Sequence, residues 1–244
     1  MEGSPELIAH RPLKEEVFRA LHDRIIEGRY LPGEWLRQEE IAGQLGVSMT
    51  PVREALDLLV AAGMAERVAY RGVRVRQLSR REIVEAYGMR LLLEGLAARL
   101  AALRISTPAI QELHKLLDEM SRQDTLAGMP RSRELSREFH LSVVRFAGDE
   151  LLLRLYSIAS NSFPDWMLYE AMFRRPDLLA SSLESEGAEH RALVEALARH
   201  DPDAAARAAV GHVLHMGRSL AAMLGVPSAD LDQQAQGVLP LLEH

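Results

Sequence analysis

GEWLRQEEIAGQLGVSMTPVREALDLLVAAGMAERVAYRGVRV, residues Gly33 to Val75, decides the fold of the first part of the chain. Residues 38 to 45 place Ile41 and Leu45 one helical turn apart, and Gly46 follows as the residue able to leave the helix with a left-handed backbone. Ser48 then stands where a helix cap belongs, Pro51 is tolerated in the first turn, and Val52, Leu56 and Leu59 form one apolar stripe. Two short helices around a glycine predict a helix-turn-helix, whose second helix enters the major groove by its N-terminal end. Downstream, Glu66 to Ala69 and Val73 to Gln77 alternate apolar and polar residues as strands do, joined across Tyr70-Arg71-Gly72. That hairpin is a wing. Upstream, Val17, Leu21, Ile25 and Ile26 predict a first helix, closed by Gly28 and followed by a turn through Leu31-Pro32-Gly33.

The face left for DNA is Ser48, Met49, Thr50 and Arg53, hydroxyls for phosphates and an arginine long enough for a base edge. Arg71 beside Gly72 at the wing tip suits a phosphate or a narrow minor groove. Charge agrees locally. Arg67, Arg71, Arg74, Arg76, Arg80 and Arg81 fall within fifteen residues that contain no acid, although the whole chain carries a formal charge of −6. A negative sum does not exclude a polyanionic partner, because binding depends on where charge sits.

The length of 244 residues fits two domains of ordinary size. The boundaries expected are 1–78 for the winged helix, 79–225 for a helical domain and 226–244 for a C-terminal tail. Through Leu78 there are 11 Lys+Arg against 12 Asp+Glu, and beyond it 18 against 23. The absence of cysteine removes disulfides, thiolate catalysis and Cys-based metal sites, and suits a reducing compartment. With neither a membrane-length apolar run nor a signal-peptide core, a cytoplasmic protein without a membrane partner is expected.

From Ser79 the chain reads as an all-α bundle of six or seven helices: Arg80 to Leu103, Pro108 to Arg122, Ser132 to Ala147, Glu150 to about Asn161, Pro164 to Phe173, Pro176 to Arg199 and Pro202 to Leu224. Thr107-Pro108 and Asp201-Pro202 read as cap and first-turn proline, and Gly148-Asp149 as a stop followed by a new cap. His140 lies beside Leu135, Phe139 and Val143; His190 shares a face with Val194 and Leu197; His212 aligns with Ala209 and Met216. A single histidine on an apolar stripe is most often satisfied by its neighbours. Three on three helices also suit a His₃ site for Zn²⁺ or a similar imidazole-preferring ion, with a position open for another ligand. His215, three residues after His212, is another possible ligand or else a neighbour of that site.

Two resemblances sharpen this reading. The stretch from Leu13 through LPGEWLRQEEIAGQLGVSMTPVREALDLL to the RG wing resembles the DNA-binding domain of GntR-type bacterial transcription regulators. The resemblance implies that Thr50, Arg53 and the Arg71-Gly72 tip contact an operator, with Ser48 at a phosphate. Met49 departs from it, since family members usually carry an arginine there, often to read a guanine. The pattern RxxxEGLAARLA at Arg90 to Ala101, then EFH at 138–140, EH at 189–190 and His212, resembles the FCD effector domain of FadR-type members. That resemblance implies His140, His190 and His212 as ligands of a divalent metal, an Asp one turn before the first histidine as a fourth, and a small organic acid bound beside the ion. Here the Asp position holds Ser136, which leaves either an effector bound by Ser136, the histidines and Arg90 without metal, or an ion on three neutral imidazoles completed by the effector's carboxylate. Arg90 is the expected partner of that carboxylate, because its planar fork matches two oxygens.

The function expected is a ligand-responsive regulator, acting as a repressor and binding a palindromic operator as a homodimer. Two other classes remain at this stage. One is a metal-dependent hydrolase with an accessory DNA-binding domain, for which His₃ could activate water but no general base is placed. The other is an architectural DNA-binding protein with structural histidines.

Overall fold

The computed structural model describes residues 12–123, 128–162 and 176–242. The helix expected over Pro164 to Phe173 lies outside the described residues. The chain divides into two compact units, Met1–Gln77 and Leu78–His244.

In the first unit, α1 (Leu13–Ile26), α2 (Gln38–Leu45) and α3 (Met49–Ala61) precede the hairpin β1 (Ala65–Val68) and β2 (Gly72–Val75). The apolar stripes predicted from spacing meet: Val17, Leu21 and Ile25 of α1, Ile41 of α2, and Val52, Leu56 and Leu59 of α3 are all buried. Gly46 ends α2 in the left-handed region at φ 66°, a conformation that costs a residue with a Cβ roughly 1 kcal/mol or more. The wing pairs antiparallel from Ala65 opposite Val75 to Val68 opposite Gly72. Because side chains alternate across a strand, Val73 and Val75 face the core and Arg74 faces out to pair with Glu66 at 2.6 Å. The chain before α2 adds to this sheet: the Leu36 amide donates to the Val73 carbonyl at 2.9 Å and the Val75 amide to the Glu34 carbonyl at 2.8 Å.

In the second unit, α4 (Arg80–Ala102) is followed by α5 (Thr107–Met120), α6 (Met129–Phe146), α7 (Glu150–Ser162), α8 (Pro176–Ala198) and α9 (Pro202–Leu224). A capping box fixes the start of α4: Ser79 accepts from the Glu82 amide, and the Glu82 carboxylate accepts from the Ser79 amide. Such reciprocal caps satisfy two otherwise orphaned donors. Helix α4 is buried on nearly every side, with Tyr87, Leu91, Leu93, Ala97 and Ala98 inside, and packs against α6, α7 and α9. A helix buried all round is the axis of its bundle, and here it carries Arg90 and Glu94 inward with the apolar residues. Asp201 caps α9 as expected, accepting from the Ala204 amide at 2.9 Å, whereas the cap of α5 is Ser106, one residue earlier than Thr107.

The stretch expected as a tail over 226–244 is helical over most of its described residues. Residues Ser228–Val238 form α10 and Leu239–Leu242 a turn of 3₁₀ helix. Val226, Leu231 and Ala235 are buried with Ile83, Tyr87 and Leu91 of α4. The reason is the small residues on α4. A Cβ on Gly88 would stand 2.1 Å from the Gln234 side chain, and one on Gly95 would stand 3.0 Å from Leu242. The glycines let α10 approach the backbone of α4, an effect that hydropathy along residues 226–244 does not reveal.

Candidate nucleic-acid interface and candidate metal centre

Ser48, the cap of α3, and Met49, Thr50 and Arg53 near its start are all exposed, and Arg71 is exposed at the wing. A cleft of about 300 Å³ joins the helix to the wing, lined by Met49, Arg53, Arg71 and Gly72 together with Trp35, Arg37 and Gln38. It brings together four of the six residues expected from sequence; Ser48 and Thr50 are not among its lining. Arg37 and Gln38, at the start of α2, were not expected. Arg37 lies 5.7 Å from the Trp35 ring centroid, within cation–π range, and only the folding of Trp35 under the wing puts it there. Ser48 has the extended backbone of a cap, yet its hydroxyl makes no cap hydrogen bond.

Four of the six arginines in the run form ion pairs. Arg67 pairs with Asp57, Arg74 with Glu66, Arg80 with Asp230 and Arg81 with Glu85. Among the described residues Arg53 and Arg71 form no ion pair, so both cations are available to a phosphate or a base. At the tip, Tyr70 is fully exposed and adopts φ 62°, and the Arg71 amide closes the turn onto the Val68 carbonyl at 3.0 Å.

The three histidines come from α6, α8 and α9 and converge in the second unit. Their rings lie 4.7–5.0 Å apart by centroid, each offers a nitrogen within 4.8 Å of the others, and all are buried. Outer atoms fix their orientation. Nδ1 of His140 is 3.1 Å from Glu94 Oε2, and Nδ1 of His212 is 2.9 Å from Glu189 Oε2. A carboxylate at Nδ1 selects the tautomer protonated there and leaves Nε2 with a lone pair. Nε2 of His140 is 3.1 Å from Nε2 of His190, so in the metal-free protein the His190 Nε2–H donates to His140. Nε2 of His212 is buried without a hydrogen-bond partner among the described residues.

Burial disfavours the charged form of His140 and of His190. Burial pushes His140 down, against the opposing pull of Glu94. Burial, then His212 and His140, push His190 well below the ordinary imidazole value. Burial alone would raise Glu94, but Arg90, His140 and His212 hold its carboxyl below the usual range. Glu189, half-buried and also pushed up by burial, is held down by hydrogen bonds from His212 and His215. Three buried imidazoles whose Nε2 atoms turn toward one another, that of His212 without a hydrogen-bond partner among the described residues, are a donor set a divalent ion takes. The residues present therefore fit such an ion.

Arg90 is engaged by its own chain in this arrangement. Its Nε lies 2.6 Å from Glu94 Oε1 and its Nη1 lies 3.1 Å from Met216 Sδ, so the fork already has a carboxylate of its own chain one turn away. Ser136 is buried beside the cluster, and its hydroxyl donates to Glu186 Oε1 at 2.9 Å. His215 pairs through Nδ1 with Glu189 and not with the other histidines. Glu94, Glu186 and Glu189 were missed by sequence reasoning, although each stood one residue or one turn from a residue it singled out. A cavity of about 390 Å³ reaches the cluster, with His190, Glu186, Ser132 and Arg191 in its wall beside Leu117 and Met120.

No described helix is long and apolar enough to cross a membrane. Residues 13–75 match the family model for bacterial regulatory proteins of the gntR family, and residues 85–215 match the FCD domain. The chain is 35% identical over 215 residues to a probable D-xylose utilization operon transcriptional repressor of Paenarthrobacter nicotinovorans, covering 87% of this chain and 91% of the relative. It is 27% identical over 206 residues to the transcriptional repressor GlaR of Escherichia coli, covering 81% and 90%. Its fold is that of Escherichia coli McbR/YncC, with a TM-score of 0.65 at 21% identity over 88% of this chain and 99% of that one. The winged helix and the helical unit are thus each matched by a family model, and the chain belongs to the GntR family, as an FCD-domain member that regulates transcription by binding DNA in response to a ligand.

Proposed function

We propose that the protein is a repressor that binds a palindromic operator as a homodimer and is released by a small organic acid bound at a divalent ion on His140, His190 and His212. Repression is the activity named for the relatives from Paenarthrobacter nicotinovorans and for GlaR. Two-fold operators are met by two-fold proteins. Arg53 reads a base edge, Arg71 and Gly72 probe the minor groove or a phosphate, Ser48 and Thr50 hold phosphates, and Met49 makes an apolar contact in place of an arginine's fork.

The observation that carries the sensing half is the set of three inward Nε2 positions beside a cavity. A bound divalent ion, Zn²⁺ being the first to test, would supply positive charge and open coordination positions for a carboxylate. The protein's own residues do the rest. Glu94 and Glu189 orient two of the rings, Arg90 keeps Glu94 ionised, and Arg191 and Ser132 meet the remainder of the acid in the cavity. Arg90 thereby acts through Glu94 and His140. Glu94 lies on α4, whose first residue follows the wing by only a few positions, so strain at the centre bears on the helix nearest in sequence to the DNA-binding unit.

Selection from random duplex DNA, followed by binding to the winning sequence, tests this. A two-fold consensus is expected, with Arg53→Ala weakening binding by about 1–3 kcal/mol and one acid from a carboxylate panel weakening it only in metal-loaded protein. A consensus without two-fold symmetry, or an acid equally effective on chelator-treated protein, contradicts the reading.

A further inference from the structure

We propose that Glu186, presented by Ser136, supplies the carboxylate ligand of the histidine centre; this rests on the reading that the centre holds a divalent ion. Three neutral imidazoles would leave an ion's double charge uncompensated in a buried site, and a buried charge is costly unless an opposite charge meets it. Three glutamates stand around the cluster. Both oxygens of Glu94 are engaged, one by Arg90 and one by His140. Both oxygens of Glu189 are engaged, one by His212 and one by His215. Glu186 is different. Its Oε1 accepts from Ser136 and lies 4.0 Å from His190 Nε2, and among the described residues its other oxygen has no partner.

The placement follows from two facing helices. Ser136 and His140 are one turn apart on α6, and Glu186 and His190 are one turn apart on α8, so each pair shares a face. Across the gap, His140 meets His190 and Ser136 meets Glu186, as two rungs of one ladder. A carboxylate on the lower rung serves the same centre whichever helix carries it. Here α8 carries it and α6 provides the hydroxyl that aims it. Glu186 also lines the cavity that reaches His190, so an acid arriving by that route meets the centre beside Glu186. With this ligand the loaded site keeps a single positive charge, which one monocarboxylate neutralises.

Full-length protein stripped with a chelator is titrated with Zn²⁺ against a chromophoric competitor, in wild-type form and as Glu186→Gln, Ser136→Ala and Glu184→Gln. Glu184 is an exposed acid of the same helix and cavity and serves as the electrostatic control. Loss of the supporting hydroxyl is expected to weaken Zn²⁺ by about 10-fold and loss of the carboxylate by about 100-fold, at the two ends of the range for residues around a metal, with Glu184→Gln unchanged. The Co²⁺-loaded proteins should repeat the order, with visible bands that shift in Glu186→Gln and stay in Glu184→Gln. Wild-type protein that takes up no Zn²⁺ overturns both this inference and the metal reading. Tight uptake by wild type together with an unchanged Glu186→Gln, or with an equal loss in Glu184→Gln, overturns this inference alone.

Discussion

The candidate DNA-binding face and the histidine cluster are built on opposite plans. Ser48, Met49, Thr50, Arg53 and Arg71 stand in water with few partners in the protein, whereas the centre is buried and its outer nitrogens on His140 and His212 are tied to carboxylates. Water explains the difference. An exposed arginine awaiting a phosphate is solvated in the meantime, so nothing in the protein must hold it. A buried ring has no such substitute, because an unsatisfied polar atom in the interior costs about 1–3 kcal/mol. A small ion therefore needs a site organised before it arrives, and the organising residues outnumber the ligands.

If that contrast is right, disturbance of the buried plan should register in stability and disturbance of the exposed plan in recognition. The largest effect expected is from Arg90→Ala. It leaves Glu94 buried beside His140 without its cation, and chemical denaturation should show a loss of about 3–5 kcal/mol, the usual result of removing one member of a buried pair. A loss near that of a surface ion pair, under about 1 kcal/mol, would break the comparison. Next comes Met49→Arg. A new fork at the head of α3 should alter the preferred base at one operator position by about 1–3 kcal/mol and leave thermal stability unchanged; binding-site selection with both proteins checks it, and identical consensus sequences would mean that position 49 reads no base. The smallest is Arg71→Ala at the wing tip, which should weaken binding to all duplexes alike and lower the slope of log affinity against log salt by about one. An unchanged slope would place the wing away from the phosphates.

The same contrast decides what the sequence could tell. The fold of the winged helix was legible almost residue by residue, because its helices, turn and hairpin are contiguous in sequence. The identity of the three histidines was legible too, each from its place on an apolar stripe. Their carboxylates were not. Glu94 looked like the acid of an i,i+4 pair with Arg90, and in part it is, but its second oxygen turns to a histidine 46 positions away on another helix. Ser136 read as a missing acid because α6 was considered alone, and Glu186 faces it from 50 residues further on. The contact of Arg90 with Glu94 spans one turn, and helical spacing gives such proximity without saying which groups finally meet.

Helix α10 has a practical corollary. The recognisable FCD stretch ends at residue 215, inside α9, yet Leu231 and Ala235 close the face of α4 that holds Tyr87 and Leu91, and Arg99 donates to the Leu242 carbonyl at 3.0 Å. The unit that evolution labels is shorter than the unit that folds. An excised fragment drawn to the family limits would bare a strip of aromatic and aliphatic surface along its own central helix, and exposed strips of that kind draw copies together. Anyone isolating the sensor should therefore carry the chain through residue 242.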